Sequence, residues 1–195
     1  MDFVWKGEPL HESVGKEECY DWVIASHVIE HTSDMITFLR ECERLLKPNG
    51  ILSLIIPDKR YCFDYFNPVT WTGELLDAYE QKRKRPSPGK VFEHFAGASR
   101  RGDHFAWGQG DTGALSLMHS IDEARNSWEM ARTTTDYMDE HNWRFKPSSF
   151  RVIFADFQAL GLTGLTVAKE FDTTGCEFHV TLQKTPPSMC IDRLA

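Results

Sequence analysis

Several features that define other classes of protein are missing from this chain of 195 residues. No apolar run approaches the roughly 18–20 residues of a membrane span, and the first ten residues lack the basic and apolar regions of a signal peptide. We therefore expect a cytoplasmic protein without a membrane span. Acidic residues outnumber basic ones, and the net charge is −7. Because the nucleic-acid backbone is also negative, a nucleic-acid partner is not expected.

The cysteines do not form a metal-binding or disulfide pattern. There are five of them, widely scattered and without a CxxC pair: Cys19, Cys42, Cys62, Cys176 and Cys190. This spacing indicates neither a zinc ribbon nor a disulfide framework, and reduced thiols in a cytosolic protein are the expectation. The sequence therefore predicts no metal site. The apolar fraction of 41% suits one globular domain.

The most informative segment that is present covers residues 20–65. Residues 22–25 form a short apolar run, typical of a strand covered on both faces. A capped helix follows, ends at the KPNG turn (47–50), and leads into a second apolar strand at 51–56. This order predicts a right-handed parallel crossover. Ligands of such sheets bind at the carboxyl ends of the strands.

The remaining sequence predicts three helices and a hairpin. Helices are expected at 72–85, where the PSPG stretch (86–89) ends the first, at 121–132, and from Pro147. The last helix has an apolar stripe of Phe150, Ile153, Phe154, Phe157 and Leu160. Residues 165–171 and 177–183 predict an antiparallel hairpin. Residues 97–119 are expected to have the least regular structure.

The residues of the first half resemble a known family. YDWVIASHVIEH (20–31) and the LRE and RLLKPNG stretches within 39–50 resemble the class I S-adenosylmethionine-dependent methyltransferases of the type 11 group. The resemblance implies an α/β fold, with a partial Rossmann-like sheet, mostly parallel, that carries a carboxyl-terminal antiparallel hairpin. It implies a single incomplete domain over 1–195, with 66–146 as a helical insertion or acceptor-side cap and 186–195 as a tail.

Two further stretches narrow the resemblance. Residues 57–65 and 137–143 are similar to a bacterial subgroup found with polysaccharide-assembly genes, which implies a saccharide or other small polar acceptor. The cofactor implied is S-adenosylmethionine. The resemblance places Asp2 and Phe3 near its adenine, and Ser26 and His27 beside its sulfonium end.

One element of the family is missing, because no Gly-rich cofactor turn precedes residue 20. In the family this turn follows the first strand, and the first strand pairs with the fourth, which residues 22–25 resemble. Without a first strand, residues 22–25 would form an uncovered apolar edge of the sheet. Such an edge invites pairing, and several uncovered apolar side chains forfeit several kcal/mol at roughly 25 cal/mol per Å². We therefore expect a fragment of a longer product, pairing with another polypeptide, or self-association near Trp22 and Ala25.

Candidate catalytic residues follow from the chemistry of methyl transfer. A hydroxyl acceptor benefits from a general base, and histidine titrates nearest to neutral pH. The candidates are His27, His104 and His141, with Asp58 and Asp139 as carboxylate alternatives, and the catalytic residues predicted from this set are His27, His141 and Asp58. Asp139 and His141 would share one side of an extended segment and are expected to pair.

Two other interpretations remain open. HVIEH (27–31) matches the H-x-x-E-H motif of inverted zinc peptidases. That motif requires both histidines on one continuous helix. His27 directly follows the predicted strand, so this interpretation is remote. The second alternative is a non-catalytic remnant or binding module that keeps the fold without binding the cofactor.

Overall fold

The computed structural model describes residues 8–185. The helices are α1 (Leu10–Val14), α2 (Met35–Leu45), α3 (Thr72–Glu80), α4 (Pro88–Gly97), α5 (Ile121–Thr133) and α6 (Pro147–Ala159). The strands are β1 (Tyr20–Ser26), β2 (Leu46–Pro57), β3 (Ser99–Arg101), β4 (Leu115–Leu117), β5 (Leu165–Thr174) and β6 (Glu177–Lys184). The predictions for Asp2, Phe3 and the tail 186–195 lie outside the described residues.

The main sheet has the strand order β1-β2-β6-β5. Strands β1 and β2 are parallel, whereas β6 runs antiparallel to both β2 and β5. The predicted α/β class and the carboxyl-terminal hairpin are confirmed. Within the described residues the sheet is mixed rather than purely parallel, since β6 is antiparallel to both of its neighbours, and Gly175, with φ of 63°, lies in the turn between β5 and β6.

Local signals build the crossover between β1 and β2 as predicted. The Thr37 backbone N–H donates to Asp34 Oδ1 at 2.9 Å, so Asp34 caps α2. The helix ends at Leu45 and β2 begins directly at Leu46, so the predicted turn at 47–50 is wrong: these residues lie in an irregular first part of β2, where Asn49 has a φ of 63°. A Cβ on Gly50 would lie 2.8 Å from the Lys47 carbonyl oxygen, which explains the glycine there.

The core lies between α2, α6 and the sheet. Pro147 opens α6 in its first turn, and Phe150, Ile153, Phe154 and Phe157 are all buried, as predicted. The prediction was wrong for Leu160, which is exposed, because α6 ends at Ala159.

Strand β1 is less covered than its apolar sequence indicates. Trp22 is 62% exposed and Ile24 is 70% exposed, and the two share one face of the strand. Ala25, on the opposite face, is buried in the core. The expectation of a strand covered on both faces was therefore wrong. Among residues 8–185, β1 pairs with β2 alone and forms one edge of the sheet.

Residues 66–146 carry α3, α4, α5 and a two-stranded ribbon of β3 and β4. The helix predicted for 72–85 ends at Glu80, and α4 was not predicted because the PSPG stretch had been interpreted only as a helix breaker. Ser87 in fact caps α4, accepting from the Lys90 backbone N–H at 3.3 Å. The segment 97–119 is partly regular, since it contains β3 and β4. Whether this region caps an acceptor stays a prediction.

Across residues 8–185, none of the helices has the length and apolar character needed to cross a bilayer.

Candidate functional site

The candidate site lies where the two parallel strands end. Strand β1 ends at Ser26 and leads through His27 into a single 3-10 turn at Ile29–His31. The Asn142 and Trp143 backbone N–H groups donate to the Glu30 carbonyl oxygen at 2.8 and 3.1 Å. These bonds bring the segment before α6 against the end of β1. The site therefore lies at the carboxyl ends of the strands, where α/β proteins bind ligands.

Glu30 is the centre of this site. Its side chain is 1% exposed, and neither carboxylate oxygen has a hydrogen-bond partner. Three imidazole nitrogens surround Oε1: His27 Nδ1 at 3.6 Å, His31 Nε2 at 3.9 Å and His141 Nε2 at 4.0 Å. Burial raises the pKa of Glu30 against the opposing effects of its own backbone and the neighbouring histidines. An unpaired buried carboxylate is costly, so this arrangement calls for a compensating ligand or proton.

His141 is held by a second carboxylate. Its Nδ1 lies 2.5 Å from Asp64 Oδ2, and Arg144 Nε donates to Asp64 Oδ1 at 3.1 Å. Burial opposes ionisation of Asp64, but the bond and charge of His141, with help from Arg144 and Asn67, outweigh it and lower the pKa of Asp64 to about 2. Asp64 is therefore ionised and accepts a hydrogen bond from the Nδ1–H group of His141.

His31 has a similar arrangement on the other side of Glu30. Its Nδ1 lies 2.8 Å from Asp139 Oδ1, a contact whose alignment falls short of a hydrogen bond. Burial, followed by the charge of His141, lowers the pKa of His31. The predicted pair between Asp139 and His141 was wrong, because Asp139 contacts His31 while His141 contacts Asp64.

His27 is the accessible histidine of the group. It follows β1 with a φ of 51°, and its side chain is 42% exposed. Its Nε2 lies 2.7 Å from Glu177 Oε2 at the start of β6. Ser26, beside it, is also exposed. These positions are open to a ligand at the strand end, and the cofactor-binding role of Ser26 and His27 stays a prediction.

The other two predicted catalytic positions lie in different surroundings. Asp58 is fully buried, with Arg60 Nε donating to its two oxygens at 2.9 and 3.1 Å and the Thr173 hydroxyl donating at 2.6 Å. These bonds join the loop after β2 to β5. His104 is exposed in the turn after β3. A catalytic role for either residue stays a prediction.

The zinc-peptidase interpretation of HVIEH is wrong. That motif needs its histidines on one continuous α-helix, whereas His27 has a positive φ and residues 29–31 form only a 3-10 turn.

Comparisons with known proteins match the part of the chain that carries β1, α2 and most of β2. Residues 8–54, which contain β1, α2 and most of β2, match the family described as Methyltransferase domain. A highly reducing polyketide synthase of Pyrenophora dematioidea is 42% identical over 84 residues, which is 43% of this chain and 3% of the synthase. A ubiquinone biosynthesis O-methyltransferase of Rhodopseudomonas palustris (strain HaA2) is 46% identical over 41 residues, 21% of this chain and 16% of the enzyme.

Among solved structures, the CurJ carbon methyltransferase aligns with 94% of this chain and 34% of its own, at 13% identity and a TM-score of 0.43. The predicted resemblance to the class I S-adenosylmethionine-dependent methyltransferases is confirmed by the sequence matches over β1, α2 and β2. The chain spans only a small part of the length of these curated relatives.

Proposed function

We propose that the protein transfers a methyl group from S-adenosylmethionine to a small polar acceptor bound at the carboxyl ends of β1 and β2. The observation that carries this proposal is the match of residues 8–54 to the methyltransferase family. The polar cluster of Glu30, His31 and His141 supports it, because Glu30 and His31 follow β1 within that segment. Because the relatives are much longer than the matched segments, the activity is proposed for the protein as it occurs in its complete form.

The chemistry is a displacement at the methyl carbon. A lone pair of the acceptor forms the new bond to carbon while the carbon–sulfur bond breaks, and its electrons go to sulfur to give S-adenosylhomocysteine. Positioning the two reactants in line supplies much of the rate. In this proposal Ser26 and His27 lie beside the sulfonium.

A hydroxyl acceptor must also lose a proton, and we propose that His27 takes it up as the general base. His27 is exposed at the strand end, and Glu177 lies 2.7 Å from its Nε2, which would hold the ring in place. His141 and Asp58 are buried and already bonded, to Asp64 and Arg60 respectively. Their positions suit supporting roles better than contact with an acceptor.

We propose an oxygen as the methylated atom and a saccharide or similar polar molecule as the acceptor. The relative from Rhodopseudomonas palustris is by its name an O-methyltransferase, which supports the choice of oxygen. The sequence likeness of residues 57–65 and 137–143 to the polysaccharide-associated subgroup supports a saccharide.

The test is transfer of radiolabelled methyl from S-adenosylmethionine to a panel of monosaccharides, nucleotide sugars and phenols. We expect His27→Ala to lower turnover by about 10²–10⁴-fold, the usual contribution of a general base. The matched control is His119→Ala, since His119 lies in the insertion, 3.8 Å from Glu123, and takes no part in the site.

Equal turnover in wild type and His27→Ala would remove His27 from the mechanism. Absence of transfer to every acceptor, together with absence of cofactor binding, would instead favour the non-catalytic alternative.

A further inference from the structure

We propose that Glu30, His31 and His141 bind a divalent transition-metal ion, most suitably Zn²⁺, which joins the end of β1 to the segment that precedes α6. The inference does not depend on methyl transfer. It rests on the donor set, on an unpartnered buried carboxylate, and on the groups that orient the two imidazoles.

The three donor atoms lie close enough together to share one ion. One ligand atom from each of the three residues lies within 4.8 Å of the others. Glu30 Oε1 is 3.9 Å from His31 Nε2 and 4.0 Å from His141 Nε2, too far for hydrogen bonds. Ligands bound tetrahedrally at about 2.0–2.2 Å from zinc are themselves about 3.3–3.6 Å apart. Binding one ion would therefore need a contraction of about half an ångström between Glu30 and each histidine.

Glu30 is buried without a hydrogen-bond partner. Its side chain is almost wholly buried, and both carboxylate oxygens lack a hydrogen-bond partner. In the described part of the chain, its ion-pair neighbours are histidines alone, and no lysine or arginine lies within 4.0 Å. A bound cation would supply the missing partner and remove the cost of burying the charge.

A carboxylate faces the Nδ1 atom of each of the two histidines. Metal-binding histidines usually direct their second ring nitrogen at a carboxylate, which fixes the tautomer. Here Asp64 forms this bond with His141 Nδ1 at 2.5 Å, whereas Asp139 lies 2.8 Å from His31 Nδ1 without the alignment of a hydrogen bond. In both rings the carboxylate meets Nδ1 and leaves Nε2 directed at Glu30.

The donor set selects the kind of ion. Mg²⁺ and Ca²⁺ prefer oxygen ligands, whereas two imidazoles and one carboxylate suit Zn²⁺ and its transition-metal neighbours. Three protein ligands leave a fourth position for water or an acceptor oxygen.

The ion would also have a structural effect, because its ligands come from two distant parts of the chain. Glu30 and His31 follow β1, and His141 precedes α6. The two segments already share bonds, since the Tyr137 hydroxyl and the Asn142 side-chain amide donate to the His31 carbonyl oxygen at 2.7 and 2.9 Å. An ion would tighten that junction.

The experiment is zinc binding by the full chain after removal of metals with a chelator. We expect about one equivalent of Zn²⁺ by elemental analysis after dialysis, unaffected by millimolar Mg²⁺. Glu30→Gln keeps the side-chain shape and removes the charge, and it should weaken zinc binding at least tenfold. His119→Ala is the control and should bind like wild type.

A second measurement covers the possibility that a variant folds poorly. Co²⁺ added to the metal-free wild type should give the visible absorption bands of a low-coordinate nitrogen and oxygen site, and Zn²⁺ should displace them. Zinc binding that is equally strong in Glu30→Gln, or a wild type that binds under a tenth of an equivalent and gives no Co²⁺ bands, would overturn the proposal.

Discussion

Replacing Asp64 by asparagine is expected to lower the free energy of unfolding by about 3–5 kcal/mol, the range for breaking a buried ion pair from one side. The Arg144 side chain is 0% exposed, and Asp64 is its buried partner at 3.1 Å. Without the carboxylate, the partly exposed Glu93 is the remaining carboxylate paired with the buried guanidinium among the described residues, and the asparagine offers one uncharged oxygen where His141 and Arg144 each had their own. Urea unfolding followed by circular dichroism measures the change.

Glu93→Gln is the matched control for this prediction. Glu93 also pairs with Arg144 at 3.1 Å, but its side chain is 38% exposed. Water can replace much of its contribution, so a loss of about 1 kcal/mol or less is expected. A loss below about 1 kcal/mol for Asp64→Asn, or equal losses for the two variants, would contradict the role given to Asp64.

The double variant Trp22→Lys, Ile24→Lys is expected to weaken self-association of this chain roughly 100-fold. The two wild-type side chains are the large exposed apolar groups of an edge strand, a surface that favours pairing. We propose that a second copy covers this face. Burying two such side chains contributes about 3 kcal/mol or more, which corresponds to roughly 100-fold in the association constant. Analytical ultracentrifugation over a range of concentrations measures that constant.

Leu117→Lys provides the control, because Leu117 is an exposed apolar residue on β4, in the separate two-stranded ribbon. It should leave the association constant unchanged. A wild-type chain that stays monomeric throughout, or a double variant that associates as strongly as wild type, would argue against this face as the contact.

The parts of the fold that could be predicted are those with local signals. The cap at Asp34, the left-handed backbone of Asn49 and the proline at the start of α6 are each specified by signals within a few residues. The prediction missed α4 because proline and glycine serve equally as breakers and as first-turn residues, and only Ser87 marks the difference. The exposure of Trp22 depends on packing against other elements, which the strand sequence does not encode.

The site was only partly predictable for the same reason. His27 could be placed because it directly follows a strand that ends at the ligand-binding edge. The link between Asp64 and His141 spans 77 positions, so no local pattern joins them. Asp64 could have been proposed, since it lies in the polar loop after β2 like Asp58. The supposed pair of Asp139 and His141 failed because residues 137–143 do not form a strand, so strand alternation does not apply.

The central claim is that this protein uses S-adenosylmethionine, and cofactor binding tests it most directly. The measurement is calorimetric titration of S-adenosylmethionine into the purified protein and, in parallel, into the complete product of its gene. The account predicts one equivalent bound by the complete product with a dissociation constant of about micromolar order, near −8 kcal/mol, and displacement by S-adenosylhomocysteine. An absence of binding in both samples would contradict it.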